Sequence, residues 1–348
     1  MSNPRAASLI SVTILVCAVT GCATTQRNAG TAPSVRHVLG ERLERTGDEI
    51  VVCGQFFHTG APVVTWLDPG GYDAYRVEAR FAPFEKSSWP DCCKDSPELK
   101  TPNRYGLRKD ALTPEQIERV RGGGWDLPLL QNVVDQFVFH YDRSGTSRRC
   151  FTTLHDKRCL SVHFMIDLDG TIYQTLDLKE RAWHATTSNT RSIGVEISNV
   201  GAYGKDEHDP FDTWYRRDES GHTRIAIPAE IGDGGIRTAN FVGHPIREEP
   251  VTGTIQGREL TQYDFTPQQY DSLIKLTATV CKIFPKLTCD YPHDENGKLI
   301  PRKLPDDQLN AYHGLLGHYH IQTNKIDPGP ALQWERVVNG ARELMKVP

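Results

Sequence analysis

One stretch limits what this 348-residue chain can fold into more than any other: residues 317–330, Gly-His-Tyr-His-Ile-Gln-Thr-Asn-Lys-Ile-Asp-Pro-Gly-Pro. It sets His318, Lys325 and Asp327 within ten residues, then restricts the backbone with Pro328-Gly329-Pro330. Proline fixes its own φ, and glycine admits turns that other residues make only with strain. Such a segment holds side chains at set angles, as a metal site requires. Imidazole with carboxylate suits zinc, and a catalytic zinc takes three protein ligands and keeps one position open. Read alone, the stretch also fits a helix stop with a proline-rich turn and solvated charges. The rest of the chain must therefore supply a third ligand and a group that handles a proton.

Two upstream runs offer them. Val133–Asp142 is rich in aromatic and β-branched residues and reads as a buried strand with His140 near its C-terminal end. A lone histidine there also fits a core-edge ring bonded to a backbone carbonyl. Ser192–Asn199 is a second strand, with Ile193, Val195 and Ile197 on one face and Gly194, Glu196 and Ser198 on the other. A carboxylate inside an apolar strand is costly unless it is paired or hydrogen-bonded, so Glu196 either lies on a wet edge or faces a metal site. Between them, Ser161–Leu176 reads as a hairpin turning at Asp167-Leu168-Asp169-Gly170.

The N-terminus has a different character. Residues 1–22 carry Arg5, a short apolar run from Leu9 to Val19, and Val19-Thr20-Gly21-Cys22. The run is too short to span a bilayer and reads as an export signal. The last four residues resemble the cleavage box of bacterial lipoproteins, which implies lipidation of Cys22. Ala23, not aspartate, follows, and by the sorting rule of such lipoproteins this implies an outer-membrane anchor facing the periplasm. Residues 23–48 are expected to act as a tether, with a short charged helix near Leu39–Arg45. In an oxidising compartment, Cys150 with Cys159 and Cys281 with Cys289 are candidate disulfides.

Residues 49–130 form an extension expected to pack on the domain that follows. Ile50–Cys53 and Val63–Trp66 are expected to pair as a hairpin across a turn-rich spacer. Thr113-Pro114-Glu115-Gln116 and Thr266-Pro267-Gln268-Gln269 are helix starts, with a capping threonine, proline at the first position and glutamine at the third. A last helix is expected over Trp334–Met345. Residues 204–260 read as an inserted set of loops and short strands. The formal charge of −4 does not suggest a nucleic-acid binder.

His140, then Ser-Val-His-Phe-Met-Ile-Asp-Leu-Asp-Gly, Arg-Ala-Trp-His-Ala, Ser-Ile-Gly-Val-Glu-Ile and Gly-His…Lys-Ile-Asp-Pro-Gly-Pro occur in that order. The set resembles the zinc-dependent N-acetylmuramoyl-L-alanine amidases of the type-2 family, related to the peptidoglycan recognition proteins. The resemblance implies an α+β fold, a central mixed β-sheet flanked by helices, over residues 131–348. It implies Zn2+ on His140, His318 and Asp327, with Glu196 and Lys325 catalytic and Trp183 and His184 lining the substrate groove. The implied substrate is peptidoglycan or a muropeptide, cut between N-acetylmuramic acid and L-alanine by a lipid-anchored monomer. A non-catalytic peptidoglycan-binding module is the alternative. Val162 replaces a tyrosine common in relatives, which puts the assisting role on Glu196. His320 and, more weakly, His313 are rival ligands.

Overall fold

The computed structural model describes residues 39–89, 102 and 104–347. The described residues from Arg45 onward form one compact unit. Its centre is a six-stranded sheet of β1 (Val63–Thr65), β2 (Gln136–Tyr141), β3 (Phe164–Ile166), β4 (Ile172–Gln174), β5 (Ser192–Ile197) and β6 (Gly314–Gly317). The spatial order is β6-β2-β5-β3-β4-β1. Only β3–β4 is antiparallel, so the sheet is mixed and the fold is α+β.

The two faces differ because side chains alternate along a strand. Phe137, Phe139, Ile193, Val195 and Ile197 share a core with the helices Pro267–Ile283 (α1) and Trp334–Lys346 (α2). The apolar stripe of α1, including Tyr270, Leu273, Leu276 and Val280, lies in that core, as does Val337-Val338 of α2. The other face carries His140 and Glu196. Both expected caps form: Thr113 and Thr266 each accept from the backbone N–H three residues on, and the glutamine there returns a bond to the cap backbone. No helix among the described residues is long and apolar enough to cross a membrane.

Four expectations need correction. Ile50–Cys53 does not pair with Val63–Trp66. Glu49–Val52 pairs with Gln55–His58 around Cys53-Gly54, both at positive φ, while β1 runs parallel to β4 at the sheet edge. The tight turn is held by Asp177, whose carboxylate accepts the N–H groups of Cys53 and Gly54 at 2.8 and 2.7 Å. No helix forms at Leu39–Arg45, where Leu39 and Leu43 are exposed and a short helix has nothing to pack on. Cys150 is a free thiol buried against Val64, Phe151, Val162 and Tyr173, so Cys159 is disulfide-bonded elsewhere. Cys281 and Cys289 touch, but as free thiols. Cys22 and the export signal lie outside the described residues.

The extension and the insertion pack on the sheet. Arg108 and Arg104 are fully buried. Arg108 donates to the carbonyls of Leu178, Thr190 and Ser192 at 2.9, 2.8 and 3.1 Å. Arg104 donates twice to the carbonyl of His155. The insertion holds two antiparallel hairpins, Tyr215–Arg217 with Thr223–Ile225 and Val251–Ile255 with Arg258–Gln262.

Candidate metal centre and cavity

His140 and Glu196 are register partners on β2 and β5, so they stand side by side on the polar face. Gly317 pairs with Phe139, which places His318, the next residue, at the end of the same row. Asp327 is returned to this point by the Pro-Gly-Pro loop. Gly329 has φ 82°, and a Cβ there would lie 2.1 Å from Oε1 of Gln262. Only glycine permits that approach. Gln262 is fully buried on the insertion hairpin; it donates to the carbonyl of Pro328 at 3.2 Å and accepts the N–H of Ala331 at 3.0 Å. Gln256 from the same hairpin donates to the carbonyls of Tyr319 and Gln322 at 2.8 and 2.9 Å.

The result is a convergence of three donor atoms. Nδ1 of His140 and Nδ1 of His318 lie 2.8 and 3.0 Å from the same Oδ2 of Asp327. The ligand atoms of the three residues all lie within 4.8 Å of one another. Each ring has an outer partner on its other nitrogen: Nε2 of His318 meets Oε1 of Gln322 at 2.7 Å, and Nε2 of His140 meets Nδ1 of His184 at 3.0 Å. A neutral imidazole has one N–H. Donating it outward to Gln322 or His184 leaves the Nδ1 lone pair facing a carboxylate, which is unfavourable unless a cation lies between them. The donor set therefore fits a metal ion. Burial works against the Asp327 carboxylate, but His318 and His140 outweigh it and hold the group well below the usual range. His140 is pushed down to about 4, by burial first and then by His318.

The rival ligands are spent elsewhere. Nδ1 of buried His320 accepts the N–H of Gly317 at 2.8 Å, and its Nε2 donates to the carbonyl of Ile300 at 2.8 Å. His313 pairs with Asp135 at 2.9 Å.

A cavity of about 650 Å³ contains His140, His318 and Asp327 together with Glu196, Lys325, Trp183 and His184. All seven sequence-derived candidates of this domain thus meet in one place. Glu196 is 9% exposed, and its Oε2 has no hydrogen-bond partner. Burial, then the charge of Asp327, pushes its carboxyl well above the usual range. Lys325 is half-buried, and its charge acts on Glu196. The guanidinium of Arg181 stacks on Trp183, 4.2 Å from the ring centroid. Sequence reasoning missed Gln322, Gln256, Gln262, Ser192 and Arg108. A side chain that only aims another group or holds a backbone leaves no spacing signal.

Comparison with known proteins identifies the family. The family model described as N-acetylmuramoyl-L-alanine amidase matches residues 130–330, more than half of the chain. The 1,6-anhydro-N-acetylmuramyl-L-alanine amidase AmpD of Haemophilus influenzae is 24% identical over 233 residues, covering 67% of this chain and 78% of that protein. Among solved structures, a selenomethionine derivative of AmpD is 15% identical, with TM-score 0.31 over 68% of this chain and 89% of its own. AmiD from E. coli, in complex with anhydro-N-acetylmuramic acid-L-Ala-D-gamma-Glu-L-Lys, is 17% identical, with TM-score 0.33 over 60% of this chain and 57% of its own.

Proposed function

The chain belongs to the N-acetylmuramoyl-L-alanine amidase family and acts as an amidase on peptidoglycan or muropeptides; from that premise we propose that it does so with zinc held by His140, His318 and Asp327. One observation carries this reading. Two Nδ1 lone pairs and a carboxylate oxygen converge beside a buried Glu196 whose Oε2 has no partner. Zinc bound there would supply Lewis acidity and make water a better nucleophile near neutral pH.

The chain's own residues do the rest. Glu196 takes the proton of the attacking water as the O–C bond forms, then delivers it to the amine as the C–N bond breaks. Burial, then the charge of Asp327, raises its carboxyl above the usual range, which strengthens it as a proton acceptor. Lys325 stabilises the negative charge that builds on the carbonyl oxygen, an effect worth about 3 kcal/mol in comparable sites. Trp183, stiffened by Arg181, offers a flat face to the sugar or the peptide. The scissile bond in this proposal joins the lactyl group of N-acetylmuramic acid to L-alanine.

Location forms a second part of the proposal. Cys22 carries lipid, and the protein works as a monomer anchored at the outer membrane, facing the periplasm. The support is Val19-Thr20-Gly21-Cys22 followed by Ala23. Cys22→Ala should move the protein from the membrane to the soluble fraction, and a variant that stays membrane-bound refutes the anchor.

The activity test incubates the protein from Ala23 onward with a disaccharide-tetrapeptide muropeptide, with and without a chelator, and reads the products by mass. Free disaccharide plus free peptide, lost on chelation and restored by zinc, is expected. Cleavage that resists chelation discards the zinc, and binding without cleavage makes the protein a recognition module.

A further inference from the structure

We infer that His184 is a positioning residue for the metal centre, and that the N-terminal extension keeps it in place through Arg108. The inference rests on the reading that His140 binds zinc. Its basis is a chain of hydrogen bonds leading away from the donor set. Nε2 of His140 lies 3.0 Å from Nδ1 of His184, and Nε2 of His184 lies 3.2 Å from Oγ of Ser192. Each neutral ring has one N–H, so a cation on Nδ1 of His140 sets the order, in which His140 donates to His184 and His184 donates to Ser192. That order reserves Nδ1 of His140 as a lone pair for the metal, the task Gln322 performs for His318.

The surroundings hold His184 in this pose. A Cβ on Gly194 would lie 2.5 Å from Nδ1 of His184, so β5 leaves room for the ring at the one glycine in the strand. Oδ1 of Asn189 accepts the backbone N–H groups of His184 and Ala185 at 3.0 and 2.6 Å. Arg108 lies against the same segment and donates to the carbonyls of Asn189, Thr190 and Ser192 at 3.4, 2.8 and 3.1 Å. Its guanidinium ties the C-terminal end of the His184–Ser192 loop and the carbonyl of Leu178 to one fixed point. A buried arginine spent on carbonyls is an expensive way to hold a loop unless the loop must not move.

The experiment measures zinc affinity by competition with a chromophoric chelator, alongside thermal unfolding and muropeptide cleavage. His184→Ala removes the acceptor and should weaken zinc binding about 10–100-fold, the usual worth of an outer partner of a ligating histidine. His184→Asn places an oxygen near the position of Nδ1 and should stay within about threefold of the wild type. Ser192→Ala frees the ring to turn without disturbing the fold and should weaken zinc about two- to tenfold, so the test survives if His184→Ala does not fold. Wild-type affinity in a folded His184→Ala protein, or equal losses in the Ala and Asn variants, overturns the inference. Wild-type protein that binds no zinc overturns it together with the zinc reading. If zinc affinities follow the expected order while no muropeptide is cut, the inference stands and the amidase reading falls.

Discussion

His320 gives a sharp test of which histidines belong to the metal and which to the fold. Its two nitrogens are bonded to the N–H of Gly317 and the carbonyl of Ile300, both at 2.8 Å, inside a fully buried site. His320→Leu leaves both backbone groups unpaired. At about 1–3 kcal/mol for each buried unsatisfied group, the variant should lose about 2–6 kcal/mol of stability near pH 7. Titration gives an independent figure. Burial pushes the imidazole from 6.5 down to about 3, so the folded state keeps it neutral. The unfolded chain takes up a proton below pH 6.5 and the folded chain does not. The contribution of His320 is thus complete above 6.5 and is lost as pH falls toward about 3. Across that window the linkage amounts to about 5 kcal/mol. The assay is denaturant unfolding of chelator-treated wild type and variant between about pH 4.5 and 8, where one proton allows a slope of about 1.4 kcal/mol per pH unit. The stability difference should shrink steadily below pH 6.5. A difference that stays flat with pH refutes the buried neutral ring, and a loss of zinc affinity beyond about 100-fold would make His320 a ligand after all.

Three further outcomes are expected. Asp327→Ala should weaken zinc by more than about 100-fold and abolish activity, since even an outer partner is worth 10–100-fold; full metal content measured by atomic absorption would remove Asp327 from the donor set. Glu196→Gln should retain zinc and slow turnover about 100-fold or more, and unchanged kcat on a muropeptide would exclude Glu196 as the proton carrier. Arg108→Met should destabilise the protein by about 3 kcal/mol or more, because several buried carbonyls lose their donor at once, and a Tm within experimental error of the wild type would show that these bonds contribute little.

The sequence disclosed the site better than its support. His140 and Glu196 were legible because each interrupts an otherwise apolar strand, and a polar group in such a place needs a reason. Asp327 was legible because Pro-Gly-Pro leaves the backbone few options. The donor atoms are another matter. That Nδ1 of both histidines faces inward follows from Gln322 and His184, and nothing in the spacing marks a glutamine as the partner of a histidine four residues earlier. His184 lines the cavity, and its nitrogens are engaged by His140 and Ser192. The hairpin at Glu49–His58 was misread because Cys53-Gly54 is a weak turn signal until Asp177, more than a hundred residues later, binds its two N–H groups. Cys150 and Cys159 are close in sequence, but Cys150 lies on the helix Ser147–Phe151, which buries it in the apolar cluster with Phe151 and Val162.

The parallel pairing of β1 with β4 decides where this gene can be cut. The family match begins at residue 130, and a truncation there would look natural to anyone expressing the catalytic part alone. It would also strip Val63–Thr65 from the sheet and leave a bare row of N–H and C=O groups on β4. It would remove both bonds between the Val51 backbone and Gln174. An exposed apolar edge recruits other chains, so such a fragment should precipitate or dimerise through that edge. A recombinant protein should therefore start no later than about Arg45, where the compact unit begins, so that Val63–Thr65 stays on β4.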